Sequence, residues 1–222
     1  LNGLGTTSVA ATTSATKIDQ LASLPMMSFG ITMATFTAQN IGAGMYARII
    51  KGVRQSLMAS VTFSIIVGGL IILFGQNLVM LFIGNQSPAV LKLTQIYFNI
   101  VGSSYWILAI LFIIRYTLQG LGQSVVPTIA GTAELVMRSF AALVLAANFG
   151  YAGACFANPL AWVGSVLVLT GSYMAAIKHL KKLERMKSIV EGSANSDEKE
   201  HISQIMNGEL RAVSGQRKKV FA

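Results

Sequence analysis

Polar and apolar positions along this chain separate into long blocks. Residues 20–47 carry no charged side chain, and neither do residues 55–91, 93–114, 116–133 and 139–177. A helix that crosses a bilayer needs about 20 mostly apolar residues, because every backbone N–H and C=O must be satisfied inside the segment. The last window is long enough for more than one crossing, and Asn148-Phe149-Gly150 divides it. The pattern predicts five helices, over about residues 8–38, 54–84, 91–118, 125–148 and 151–178. The first exceeds a simple crossing; tilt absorbs length, and Pro25 is placed to kink it. The fold class expected is an all-α membrane lobe over residues 1–180, followed by a polar tail over residues 181–222. The run from Glu191 to Glu200 is too polar to bury a core of its own, so a mostly disordered tail is expected, with room for a short helix around 200–212.

Composition sharpens this picture. Of 222 residues, 53% are hydrophobic and 11% charged, against about 25% charged in a soluble domain; the mean hydropathy is +0.61. Up to residue 177 the only acids are Asp19 and Glu134, and the cations are Lys17, Arg48, Lys51, Arg54, Lys92, Arg115 and Arg138. The net charge of +9 does not indicate a nucleic-acid binder, because the cations sit at the ends of apolar runs. That is the positive-inside pattern. It puts Arg48, Lys51 and Arg54 inside, the loop of residues 84–88 outside, Arg115 at the return inside, residues 148–153 outside, and Lys178 to Lys182 inside. The lone Cys155 has no partner for a disulfide, and no Cys/His cluster points to a metal. No cleavable leader is visible, and the chain starts at Leu1, so a fragment lacking upstream sequence is expected.

One stretch joins these themes. Gln39-Asn40-Ile41-Gly42-Ala43-Gly44 closes the first apolar window, and three cations follow. The glycines suit a turn at a helix end. They are not a dinucleotide fingerprint, since Ala47 stands where the third glycine belongs and no strand precedes. Ala38 to Gly44 resembles the AQN-x-GAG signature of the multidrug and toxic compound extrusion (MATE) family. Further matches follow in order. Asn2-Gly3-Leu4-Gly5, Lys17-Ile18-Asp19 and Leu24-Pro25 resemble the family's eighth helix, and Phe74-Gly75 falls late in the ninth. Arg115 through Gly120, Gly122, Ser124 and Pro127 resembles the stretch between the tenth and eleventh, and Phe149-Gly150 with Gly153 opens the twelfth.

The resemblance implies five full helices of a six-helix half-bundle, the C-terminal half of a twelve-helix transporter, with the N-terminal half absent. It further implies a multi-pass cell-membrane protein with its C-terminus in the cytoplasm. The activity implied is export of small organic, often cationic, compounds against H⁺ or Na⁺, with no cofactor. The loop of Gln39, Asn40, Gly42 and Gly44 then reads as a cytoplasmic joint between two helices that tilt together, or as turn geometry and a topology signal only.

Ionisable groups inside a span are costly and mark function by default. Asp19 has Lys17 on a different face and no cation placed to pair with it, and burial penalises its charge, which suits proton exchange. The alternative is a place near the headgroups. Met26 and Met27 share its face and offer an adaptable surface. Glu134 and Arg138, four apart, share a face roughly 14–20 Å along their helix. They read as a structural ion pair or as a gating pair. Asn99, Tyr105 and Trp106 on the third helix, and Asn158 on the fifth, are cavity-lining or helix-packing candidates. Residues 93–114 hold no acid where many MATE members have one, which moves weight for ion coupling to Asp19 or to the absent half.

Three function classes compete. A lipid-linked oligosaccharide flippase of related fold needs several cavity cations, and only Lys17 and Arg138 qualify. A membrane-embedded enzyme needs clustered acids or a His/Asp pair, whereas His179 and His201 lie in or beside the tail. An ATP-driven pump needs a P-loop, and none is in the sequence. A secondary exporter is the reading that remains, with lipid and small organic molecules as its partners.

Overall fold

The computed structural model describes residues 5–193 and 196–213. In chain order the helices are α1 (Thr6–Gly42), α2 (Tyr46–Ile83), α3 (Pro88–Gly102), α4 (Tyr105–Gly120), α5 (Val125–Gly192) and α6 (Ser196–Val213). By length and composition, α1, α2 and α5 each suffice to cross a membrane, and α3 with α4 adds a fourth if that bent pair is one span. Helix α4 is the hub: it packs against α1, α2 and α5. Its Tyr105, Leu111, Ile113 and Leu118 are fully buried, together with Phe98 of α3 and Met26 of α1. Large apolar side chains also cover the outside, with Leu73, Leu81 and Leu143 about three-quarters exposed. Such a surface suits contact with lipid. Several hydroxyls of α1 are satisfied locally: Thr12, Thr16 and Ser28 donate to Ser8 O, Thr12 O and Leu24 O at 2.8–3.0 Å.

Two expectations need correction. The helix predicted over 91–118 is two helices, bent by 48° where α3 meets α4. The cause is local. Ser103 and Ser104 both donate to Ile100 O, at 3.0 and 2.9 Å, and compete with the backbone ladder there.

The break expected at Asn148-Phe149-Gly150 is present: α5 is two helical arms that fold back at Gly150 (φ 56°, ψ −135°), and the second arm runs on past residue 178 to Gly192. That positive φ favours a residue without Cβ. Beyond the fold-back the arms run antiparallel. Gly153 lies against the backbone of Leu145, and Ser165 Oγ, further along, donates to Ala130 O at 3.3 Å.

The second correction concerns the tail, where the helix allowed for around 200–212 is present and longer. Helix α5 continues to Gly192, and α6 follows, where mostly disordered chain is expected. Residues 194–195 and 214–222 lie outside the described residues. The polar composition of the tail conceals an apolar stripe. Leu180 and Leu183 of α5 are fully buried, and Met206, Leu210 and Val213 of α6 pack on the core. Glu209 fastens α6 to α5 by accepting from Lys182 Nζ and pairing with His179 Nδ1, both at 2.5 Å. Lys182 first and His179 second hold its carboxyl below the ordinary value.

Candidate functional site

Asp19 sits on α1, where α1 packs against α3 and α4. Its Oδ1 accepts from Tyr105 Oη at 2.6 Å and its Oδ2 from Tyr97 Oη at 3.3 Å. Both tyrosines are buried, and no cation among the described residues lies within ion-pair distance of Asp19. Tyr97 also lines a cavity of about 160 Å³ with Thr12, Thr16, Asn158, Cys155 and Arg138. Thr12 Oγ1 there also lies within hydrogen-bond distance of Tyr151 Oη, at 3.2 Å. A neutral pair of phenols can serve an ionised carboxylate as donors and can serve a protonated one without leaving a charge behind. Sequence reasoning missed Tyr97. It stands 78 residues from Asp19, and the only advance signal is its spacing of eight from Tyr105, which the bend at Ser103–Ser104 interrupts.

Glu134 is held differently. Its Oε2 accepts from Arg115 at 2.7 Å and its Oε1 from Arg138 at 2.8 Å. Arg115 also donates to Ser165 Oγ at 2.9 Å, so one guanidinium ties α4 to both arms of α5. The expected Glu134–Arg138 pair is present, but Arg138 is the outer partner, with 44% of its side chain exposed against 20% for Arg115. Arg115 was read above as a topology signal; here its guanidinium is bound inside the bundle. Its Nε is buried without an acceptor.

The other sequence-predicted residues scatter. Met26 is fully buried in the core, while Met27 and Trp106 face outward. Asn99 is exposed, accepts from Gln95 Nε2 at 2.9 Å, and lines a separate cavity of about 360 Å³ with Gln76, Lys92 and Gln95. Asn158 joins Tyr97 at the first cavity. Among the described residues no group of three His, Cys, Asp or Glu is placed to hold a metal ion.

The glycine loop has a definite geometry. Met45 N donates to Asn40 O at 2.8 Å and Gly44 N to Ile41 O at 3.1 Å, with Gly44 at φ 65°. Those two bonds around a left-handed glycine form a Schellman motif. Asn40 is buried and donates from Nδ2 to Phe36 O at 2.7 Å; Gln39 and Gly42 are exposed. The end of α4 repeats the design: Gln123 N donates to Leu118 O and Gly122 N to Gln119 O, with Gly122 at φ 85°. The tail holds the first loop from outside. Lys187 Nζ donates to Gly44 O at 3.1 Å, and Glu184 Oε2 accepts from Ala47 N at 3.0 Å.

The two motifs, the two acids and the bundle fit one sequence family, and the family model MatE matches residues 1–144. The chain belongs to the MATE family. Both acids, both Schellman loops and the bent α3–α4 pair of this MATE chain fall inside the matched residues. MATE proteins are transporters rather than enzymes, and the apolar helices make this a multi-pass membrane protein. Among solved structures it is similar to one described as the inward-facing conformation of a multidrug resistance MATE family transporter of the MOP superfamily. The TM-score is 0.67 at 17% identity, covering 96% of this chain and 53% of that one. At that identity the likeness speaks for the fold, and the MATE chain spans about half the length of its structural neighbour. No curated protein matches the sequence.

Proposed function

We propose that this chain is one lobe of a secondary exporter of small organic, cationic compounds, driven by inward flow of H⁺ or Na⁺, with Asp19 as the exchangeable carboxylate. One observation carries the reading: a half-buried acid bound by two phenols and no cation, with Tyr97 between it and a cavity. A lone carboxylate of this kind can bind a proton, a small cation or an organic cation in turn, and each occupant excludes the others. The two arms of α5 supply the fourth and fifth crossings, and the substrate path lies between this lobe and a second one. The flippase alternative loses support, because Arg138 is bound to Glu134 and Lys17 is exposed away from Asp19.

In the full-length transporter, Asp19→Asn is expected to cut ion-coupled dye efflux tenfold or more while solubilised yield stays near that of the wild type. Normal efflux by Asp19→Asn, with a folded but inactive Glu134→Gln, reverses the two roles. The positive-inside rule puts the glycine loop and the C-terminal helices in the cytoplasm and the cell membrane around the bundle. A cysteine replacing Asn85 is therefore expected to react with an impermeant thiol reagent on intact cells, and one replacing Lys199 only after permeabilisation. The opposite pattern overturns that orientation.

A further inference from the structure

The basic end of the bundle carries a pocket that the transport reading does not use. Lys51 and Arg54 lie three apart on α2, and Lys181 and Arg185 lie four apart on α5, so each pair shares one helix face. The two faces meet across a cavity of about 450 Å³, lined also by Ala47, Ile50 and Glu184. All four cations are exposed, and none has a carboxylate at ion-pair distance among the described residues. The one acid in the lining is committed: Glu184 Oε2 accepts from the backbone N–H of Ala47 at the start of α2. Lys178 and Lys182 extend the same basic surface around a neighbouring cavity with Lys181 and Arg185.

Four cations against one carboxylate leave the cavity with a net positive charge, and an anion between the cations lowers their mutual repulsion. The position of the pocket says which anion. Immediately after Arg54 the charge-free window of residues 55–91 begins, so the pocket stands at the boundary between water and hydrocarbon. Met58 and Ile65 follow on the α2 face of Lys51 and Arg54, and both are more than half exposed. A charged head has its site at the pocket and an apolar chain has its track along this stripe. Basic pockets between helices at that level suit phosphorylated lipid headgroups.

We propose that this pocket binds the phosphate-bearing headgroup of an anionic membrane lipid, with an acyl chain lying along the Met58–Ile65 face of α2. The bound lipid joins the start of α2 to the end of α5. It thereby adds to the hold that Lys187 and Glu184 have on the Gly44 loop and the start of α2.

The test uses the purified full-length transporter in detergent and measures thermal stability during titration with phosphatidylglycerol, phosphatidylcholine or inorganic phosphate. Phosphatidylglycerol is expected to raise Tm by several degrees, with little effect of the other two at equal concentration. The exposed pair change Arg54→Gln with Arg185→Gln is expected to weaken that titration about tenfold or more. Lys51→Gln with Lys181→Gln should do the same, so the result does not hang on the folding of one variant. Arg48→Gln, which removes an α2 cation stacked over Phe36 and outside the pocket, should leave it unchanged. Equal stabilisation by phosphatidylcholine, stabilisation by inorganic phosphate alone, or equal loss in Arg48→Gln each overturns the proposal. So does a full response in both pair variants.

Discussion

Asp19 and Glu134 are the two acids of the first 177 residues, and the bundle surrounds them with opposite chemistry. Asp19 meets two neutral phenols and no cation, beside a cavity that Tyr97 lines. Glu134 meets two guanidiniums, and the inner one is itself anchored to Ser165. The same functional group therefore stands in two different settings. A carboxylate shared between Arg115 and Arg138 cannot release its charge without stranding two cations, which makes it a fixed joint between α4 and α5. A carboxylate held by phenols strands nothing when its charge is cancelled. The count of cations around each acid, rather than its depth, separates the proposed carrier from the joint.

The strongest way to break this comparison is at Glu134. Glu134→Gln leaves Arg115 and Arg138 without their counter-charge, at a cost on the order of 3 kcal/mol. Monodisperse yield in size-exclusion chromatography is expected to fall at least fivefold. Arg115→Gln should come next and Arg138→Gln last, following the exposure of their side chains, 20% and 44%. Pairing Glu134→Gln with Arg115→Gln should recover part of the yield, since the inner charge goes with its partner. If Glu134→Gln folds normally, or if Arg138→Gln is as damaging as Arg115→Gln, the joint is not built as described.

That ranking could not be drawn from the sequence. A charge in hydrocarbon is costly enough to leave long charge-free windows, so the helical, membrane-spanning character was legible from composition alone. The Glu134–Arg138 pair was legible because helical spacing brings i and i+4 together. Arg115 lies 19 residues from Glu134 on another helix, and no period announces such a pair. Tyr97 and Asp19 are likewise a product of packing. The break between α3 and α4 turns on two serine hydroxyls competing for Ile100 O, a contest that hydropathy does not register. Helix α6 was half legible: Met206, Leu210 and Val213 recur at helical spacing, but their polar neighbours masked the stripe.

A smaller effect tests the phenols themselves and sharpens the Asp19 side of the contrast. Tyr105 donates to Asp19 Oδ1 at 2.6 Å, a short bond, while Tyr97 reaches Oδ2 only at 3.3 Å, beyond the usual O–H···O range. A hydrogen bond to a charged group contributes about 1.5–3 kcal/mol and weakens with distance. Tyr105→Phe is therefore expected to slow efflux about fivefold and to move the pH profile of transport in proteoliposomes. Tyr97→Phe should change either by about twofold or less. Both variants keep the ring, and with it the packing of Tyr97 and Tyr105 in the core, so yield should hold. A larger effect from Tyr97→Phe would mean that the phenol facing the cavity controls access to Asp19 and that Tyr105 only positions it. If neither variant moves the pH profile, the phenols are packing, and the difference between the two acids reduces to the cations that Asp19 lacks.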